Sequence, residues 1–156
     1  MEDASAWAIS ETIRTESHKY SLDPLLVLAV IEVESRFQLA AVSERGARGL
    51  MQIRPLVATA LADQVDLGVD FADREIHPEA LDDPIINIKL GAFYLQYLHK
   101  RFRDTKLALT AYNWGPTEIR NRLDMEEAVP LDYAMKVLSA YNTYRRIDRQ
   151  GLQQRP

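Results

Sequence analysis

The sequence predicts a mostly α-helical protein with about six or seven helices and little or no β structure. Proline follows a residue suited to a helix N-cap at three points, Asp23-Pro24, Asp83-Pro84 and Gly115-Pro116, and proline is favoured as the first residue of a helix. Apolar residues recur at intervals of three and four, as on the buried face of a helix. No segment sustains the alternation of apolar and polar residues that is typical of a half-buried strand.

Three predicted helix starts lie at Asp23-Pro24, Arg54-Pro55 and Asp83-Pro84. The helix after Asp83 is expected to extend to about Phe102, because its apolar residues follow helical spacing at Ile86, Leu90, Phe93 and Tyr97. A longer irregular stretch is expected near residues 66–82, before this helix.

The last predicted helix covers Leu131–Arg149 and follows the helix that begins at Pro116. Its final turns carry Arg145, Arg146 and Arg149, and positive charges suit the negative end of a helix dipole. The length of 156 residues is that of one domain.

Acidic residues are concentrated in one segment of the chain. The net charge is −4, but residues 63–83 hold eight acidic side chains and one basic one, while the other residues hold 18 basic and 15 acidic, a net of +3. An acidic chain lacks the basic face that binding to a phosphate backbone requires, so we expect no nucleic-acid partner. We expect the acidic segment to be a solvated connection or a surface for a partner.

Other classes of protein are excluded by missing residues. There is no cysteine, and the three histidines are scattered without metal-ligand spacing, so we expect no metal site. No phosphate loop or dinucleotide motif is present, so we expect no cofactor. The longest run without a polar residue, Leu25–Ile31, is far shorter than the roughly 18 residues of a membrane-spanning helix. The acidic residues after Met1 are unlike a signal peptide, so we expect neither a transmembrane segment nor a signal peptide in this chain.

Glu34 is the most informative carboxylate in the sequence. It continues the apolar stripe of Val27, Val30 and Ile31, so its side chain is expected to point toward the core, whereas Glu32 lies off the stripe. Partly apolar surroundings raise the pKa of a carboxyl group, which can then act as a general acid. The alternative is that Glu34 pairs with a base such as a neighbouring arginine or caps nearby backbone.

Two further segments combine groups that can hold sugars. Met51 and Gln52 follow a turn with two glycines and offer an apolar surface and an amide, and Tyr112, Asn113 and Trp114 end an apolar helix. Aromatic faces and amides bind sugar rings by stacking and hydrogen bonding. A turn before a helix and a packed helix end explain the same residues equally well.

Taken together and in this order, the segments resemble the SLT catalytic domain of the goose-lysozyme-like lytic transglycosylases. The resemblance is carried by Ile31-Glu32-Val33-Glu34-Ser35, by Gly49-Leu50-Met51-Gln52 and by Ala111-Tyr112-Asn113. It implies a single compact lysozyme-like helical domain over residues 1–156. In that domain, residues 23–144 form the catalytic core, 1–22 an N-terminal helical extension and 145–156 a basic C-terminal end.

The resemblance also implies roles for individual residues. Glu34 would be the sole catalytic acid and base, and Ser35 would lie close to the acetamido group of the reacting sugar. The residues implied to line the cleft are Met51, Gln52, Tyr112 and Asn113, and Tyr133 would orient Glu34. The chain departs from the family pattern at Trp114, where a small residue is common. It also departs at residues 129–132, which lack a frequent Glu-Thr pair, so the role of Tyr133 has less support.

The reaction implied is cleavage of the β-1,4 bond between N-acetylmuramic acid and N-acetylglucosamine in peptidoglycan, without water or cofactor, to give a 1,6-anhydro product. The implied setting is the periplasm or cell envelope, where a monomer would serve wall turnover, a secretion system, a pilus or a phage particle. We expect a substrate groove that is nearly neutral or mildly basic.

Two alternative functions remain open from the sequence. One is a goose-type muramidase, in which Glu44 positions a water molecule. The other is a non-catalytic scaffold that binds the cell wall.

Overall fold

The computed structural model describes residues 3–68 and 76–153. Its helices are α1 (Asp3–Lys19), α2 (Pro24–Ser35), α3 (Pro55–Leu61), α4 (Pro84–Phe102), α5 (Thr105–Trp114), α6 (Pro116–Asp124) and α7 (Asp132–Gln153), with 3-10 helices at Ala62–Gln64 and Pro78–Asp82. Across the described residues, β structure is confined to isolated bridges that pair Arg48 with Val42 and Ile53. The predicted mostly α fold with six or seven helices is therefore confirmed.

Four helices begin at the prolines that the sequence marks as first residues: Pro24, Pro55, Pro84 and Pro116. Asp23 Oδ1 accepts a hydrogen bond from Leu25 N (2.9 Å), and Asp83 Oδ1 accepts one from Ile85 N (2.8 Å). Proline fits the first position because its missing N–H would have no partner inside the helix. Local chemistry within one turn therefore sets where these helices start.

The last helix is longer than predicted. It was expected to end near Arg149, but α7 continues to Gln153, and its last turn contains no basic residue. Arg145, Arg146 and Arg149 therefore all lie before the final turn, to which the dipole effect is largely confined. The prediction that the three arginines stabilise the helix end is wrong for this reason. All side chains from residue 145 to 152 are exposed.

The described part of the acidic segment, residues 63–68 and 76–83, is less irregular and less solvated than predicted. Part of it forms the 3-10 helix Pro78–Asp82. Asp82 is half-buried in an ion pair with Arg48, so the interpretation of a purely solvated connection is wrong at this residue. Asp83 is exposed but caps α4. Asp70, Asp73 and Glu75 of the acidic segment lie outside the described residues.

Two compact units can be distinguished, one reaching Tyr94 and the other starting at Leu95, so that the boundary falls within α4. In the first unit, α1 packs against α2. In the second unit, α5 packs against both α6 and α7. No helix in the described part of the chain is long and apolar enough to cross a membrane.

His99, in the second unit, is expected to make stability depend on pH. Its Nε2 is buried with no hydrogen-bond partner among the described residues, and burial lowers the pKa of its imidazole against a weaker opposite effect of Asp104. Since the unfolded chain then binds a proton more readily than the folded one, stability should fall as pH drops below about 6.5.

Urea unfolding midpoints at pH 7.5 and 5.5 measure this effect. The decrease in the unfolding midpoint from pH 7.5 to pH 5.5 should be smaller in His99→Leu than in the wild type. It should equal the wild-type decrease in His77→Leu, whose histidine is exposed. Equal losses in all three proteins would contradict the expectation.

Candidate active site

Glu34 is the next-to-last residue of α2 and is half-buried. Val27, Val30 and Ile31 on the same helix are fully buried, whereas Glu32 is exposed, as the apolar stripe predicts. The helix therefore places the Glu34 side chain at the edge of the core, where the residue is partly enclosed by protein and partly accessible. A carboxyl group in such a position can exchange protons with a bound molecule.

The chain turns sharply just after Glu34. Arg36 and Phe37 both have left-handed backbone, with φ of 51° and 62°, and Arg36 N donates to Glu32 O at 3.0 Å. Left-handed backbone costs a residue with a Cβ about 1–2 kcal/mol. Gln52 shares this conformation with a φ of 51°, so three of the six non-glycine residues with positive φ in the described chain lie in or directly after the two motifs. Such strain is found preferentially at functional sites.

Ser35 is buried, and its hydroxyl is already used by the helix. Its Oγ donates to Ile31 O at 3.1 Å, one turn back in α2. The predicted contact with a sugar acetamido group stays a prediction, and it would have to use the serine oxygen as an acceptor.

The segment after α2 is fastened to the Gly49–Gln52 loop through Ala41. Ala41 O accepts hydrogen bonds from Gly49 N (2.9 Å) and from Gln52 Nε2 (3.0 Å). The same amide nitrogen of Gln52 also donates to Gly49 O at 3.0 Å. The NH₂ group of Gln52 therefore holds the loop together, which leaves its carbonyl oxygen as the group suited to a ligand.

Met51 does not present the apolar surface that the sequence was interpreted to offer. Its side chain is fully buried, with an exposed fraction of 0%. It fills the space that Gly91 of α4 leaves free, since a Cβ on Gly91 would lie 2.8 Å from Met51 Cβ. The interpretation of Met51 as an exposed surface is wrong. Gly91 of α4 has no side chain, and Met51 fills the space that this leaves. Its contact with a glycan stays a prediction.

Asn87 clamps the loop to α4 and was not among the predicted site residues. It is fully buried, its Oδ1 accepts from Met51 N (2.7 Å), and its Nδ2 donates to Arg48 O (2.8 Å) and Leu81 O (2.9 Å). Buried backbone groups need such partners, and Arg48 O accepts a second bond from Ile53 N at 3.0 Å. An asparagine within the apolar run Ile85–Ile88 is the sequence signal that could have indicated this role.

A bidentate ion pair holds Arg48, the residue directly before the Gly49–Gln52 loop. Arg48 donates from Nε to Asp82 Oδ1 (3.1 Å) and from Nη2 to Asp82 Oδ2 (2.6 Å). Both side chains are half-buried, and the paired geometry fixes orientation as well as distance. Arg48 and Asp82 thus support the loop, and neither is predicted by a motif.

The other three predicted site residues lie in the second unit. Tyr112 is buried and Asn113 is exposed in the last turn of α5, and Tyr133 is half-buried at the second position of α7. Since α5 packs against α7, both tyrosines belong to one packed pair of helices. Glu34, Ser35, Met51 and Gln52 belong to the first unit. Within the described residues, no group of three or more His, Asp or Glu side chains could hold a metal ion.

Residues 11–134 match the family model of the transglycosylase SLT domain. The chain belongs to the SLT transglycosylase family. The match begins inside α1, ends just after Tyr133 and includes all seven predicted site residues. The resemblance seen in the sequence motifs is thereby confirmed.

The relatives are transglycosylases of bacteria and of a phage. A transglycosylase of Enterobacteria phage PRD1 is 37% identical over 69% of this chain and 35% of its own length. The soluble lytic murein transglycosylase of Salmonella typhimurium is 33% identical over 76% of this chain and 20% of its own length. The chain therefore spans only a fifth to about a third of these relatives.

Solved structures of such enzymes share the fold. The 70 kDa soluble lytic transglycosylase Slt70 of Escherichia coli matches with a TM-score of 0.73 and 27% identity, over 89% of this chain and 24% of that one. An inactive mutant of the lytic transglycosylase Slt of Pseudomonas aeruginosa matches with a TM-score of 0.64 and 29% identity, over 85% of this chain and 21% of that one. These matches confirm the lysozyme-like helical fold.

The fit between Gly49 and Asn87 can be tested with a matched pair of glycines. Gly49 and Gly46 have nearly the same φ, +77° and +74°, but a Cβ on Gly49 would overlap the Asn87 amide and Leu81 O, whereas one on Gly46 would meet nothing within 4 Å. Gly46→Ala should cost only backbone strain, about 1–2 kcal/mol. Gly49→Ala should cost about 1–3 kcal/mol more, because it overfills a closed contact.

Urea unfolding of the two variants gives the difference in the free energy of unfolding. Equal losses would show that the Asn87 contact yields to a methyl group and does not constrain the loop.

Proposed function

We propose that this chain is the catalytic domain of a peptidoglycan lytic transglycosylase. It cleaves the β-1,4 bond between N-acetylmuramic acid and N-acetylglucosamine and leaves a 1,6-anhydro-N-acetylmuramic acid end. The observation that carries the proposal is the half-buried Glu34 at the strained end of α2, in a chain that belongs to the SLT family. The relatives named lytic murein transglycosylases support the choice of substrate.

Glu34 performs both proton transfers in the proposed reaction. As a general acid it protonates the glycosidic oxygen, and the bond from that oxygen to C1 breaks with departure of N-acetylglucosamine. The acetamido oxygen of N-acetylmuramic acid stabilises the positive charge at C1. The Glu34 carboxylate then takes the proton of the C6 hydroxyl, whose oxygen bonds to C1. The glutamic acid is restored, and no water or cofactor is consumed.

A single carboxyl group is sufficient for this route, since substrate assistance replaces the second carboxylate of an ordinary glycosidase. The inactivity of the Pseudomonas aeruginosa relative after a glutamate-to-glutamine substitution supports chemistry that depends on one glutamate. Glu44 is exposed in a loop of the first unit, which is the setting of a solvated side chain.

The remaining site assignments belong to the proposal as well. Ser35 and Gln52 of the first unit, and Tyr112, Asn113 and Tyr133 of the second, are proposed to bind the glycan. Gln52 supports this role with a carbonyl oxygen that its amide nitrogen leaves available, and Asn113 does so with an exposed side chain. The division into a core at 23–144, an extension at 1–22 and a basic end at 145–156 of a single monomeric domain also stays a proposal.

The setting of the reaction follows from its substrate. Peptidoglycan strands place the enzyme in the periplasm or at the cell envelope, and two groups of relatives are named membrane-bound lytic murein transglycosylases. The phage relative supports a role in a phage particle as one such setting.

Glu34→Gln should abolish release of soluble fragments from purified peptidoglycan. Glutamine has nearly the same shape but cannot transfer a proton, and loss of general acid–base catalysis costs about 10²–10⁴-fold in rate. The matched control is Glu32→Gln, the same substitution at an exposed position two residues earlier, which should keep wild-type activity. Circular dichroism checks that both variants fold. A Glu34→Gln protein with wild-type activity would contradict the assignment.

Mass spectrometry of the fragments separates the two catalytic alternatives. The transglycosylase reaction yields anhydro ends, whereas a muramidase yields reducing ends that are heavier by one water molecule. We expect anhydro ends from the wild type and from Glu44→Gln. Reducing ends that disappear in Glu44→Gln would instead establish the muramidase. A protein that binds peptidoglycan and releases neither product would be a scaffold.

A further inference from the structure

Trp114 is an exposed aromatic side chain that the proposed site does not use. It is the last residue of α5, directly after the exposed Asn113, and 46% of it is accessible to solvent. Single exposed apolar residues are common on protein surfaces, so exposure alone indicates no function. The surroundings of the ring are what distinguish this tryptophan.

The Trp114 ring is held in place by an anchored cation. The Arg122 guanidinium of α6 lies over the ring, with its carbon 5.7 Å from the ring centroid. Arg122 is itself fixed, because its Nε donates to Glu118 Oε1 at 2.7 Å and its Nη1 donates to Ala128 O at 3.1 Å. One face of the indole is thus covered by a group that is bonded at two further points.

The residue after Trp114 has no side chain. Gly115, which follows Trp114, has a φ of +89°, and a Cβ built there would meet nothing within 4 Å. This backbone ends α5 and starts α6 at Pro116 without placing a side chain next to the indole. A flat apolar ring that is oriented by Arg122 and is 46% exposed can receive a flat apolar ligand face.

Pyranose rings have such a face. Their axial C–H groups form an apolar surface that stacks on aromatic rings, while their hydroxyl and acetamido groups need polar partners at the edge. The amide of Asn113, one residue before Trp114, is exposed and can both donate and accept. An exposed aromatic ring and an exposed amide at the same end of α5 fit a sugar better than they fit a purely apolar ligand.

We propose that Trp114, oriented by Arg122, is a stacking platform for a pyranose ring of the glycan strand and forms a binding subsite of its own in the second unit. Arg122 is a positioning residue, since it acts on the sugar through the indole. The choice of a peptidoglycan sugar as the ligand rests on the proposed function.

The experiment uses the two tryptophans of the chain, Trp7 and Trp114. Trp7 is 70% exposed on α1 and belongs to no proposed site, which makes it the matched control. In a Trp7→Phe/Glu34→Gln protein, emission comes from Trp114 alone and the ligand is not cleaved. Titration with peptide-free N-acetylglucosamine–N-acetylmuramic acid oligomers should give a saturable change in Trp114 emission. A Trp114→Phe/Glu34→Gln protein, which reports only Trp7, should give none.

Kinetics on the otherwise unmodified protein test whether the contact serves binding. Trp114→Ala should raise KM for the oligomers about tenfold, the equivalent of 1.4 kcal/mol of lost binding, with kcat changed less than about twofold. Trp114→Phe should be intermediate because it keeps an aromatic face. Arg122→Met should raise KM in the same direction, and Trp7→Ala should leave both constants unchanged.

The outcomes separate this inference from the proposed function. If the oligomers bind by calorimetry while Trp114 emission and the KM of Trp114→Ala stay unchanged, the stacking platform is wrong and the reaction stands. If Trp114 responds but the wild type releases no anhydro ends from peptidoglycan, the platform stands and the proposed reaction is wrong. Oligomers that neither bind by calorimetry nor change the emission also overturn the platform, whatever fragments the wild type releases.

Discussion

The buried amide of Asn87 is the contact on which the candidate site of the first unit depends. The Arg48–Ile53 loop carries no regular helix, so its backbone groups need partners before they can leave water. One side chain supplies two of these partners, at Arg48 O and Met51 N, and it also bonds Leu81 O of the 3-10 helix Pro78–Asp82. With the loop fixed to α4 in this way, the amide nitrogen of Gln52 can in turn hold Ala41. The position of the chain that leaves α2 is therefore coupled to α4 through a continuous set of hydrogen bonds.

This network also accounts for the strained backbone that it surrounds. Left-handed conformations at Arg36, Phe37 and Gln52 are unfavourable for residues with a Cβ and persist only where the surroundings determine them. The hydrogen bonds of Gln52 and the cap from Arg36 N to Glu32 O supply that constraint. The sharp reversal after α2 leaves Glu34 near the end of its helix, with its side chain beside the core and not deep within it. Strain and accessibility of the carboxyl group thus have the same structural origin.

The parts of this structure that the sequence predicts are those set by neighbouring residues. Helix starts follow from Asp-Pro and Gly-Pro pairs because capping acts within one turn, and the partial burial of Glu34 follows from its place on the stripe of α2. The burial of Met51 and the pairing of Arg48 with Asp82 could not be predicted in this way. They depend on partners 34 to 40 positions further along the chain, whose proximity only the fold establishes. Asn87 is of the same kind, since its amide bonds to residues up to 39 positions away.

The close fit of α4 against the Arg48–Ile53 loop limits which substitutions the first unit can accept. Two residues one turn apart on α4, Asn87 and Gly91, interlock with Gly49 and Met51, the large side chain of each pair opposite a glycine. A larger side chain at Gly91 has room only if Met51 shrinks, and Gly49 can gain a side chain only if Asn87 retreats. Substitutions in the two segments are therefore expected to occur in compensating pairs. Although α4 supplies no proposed catalytic group, its sequence should then change at the same rate as that of the loop that it supports.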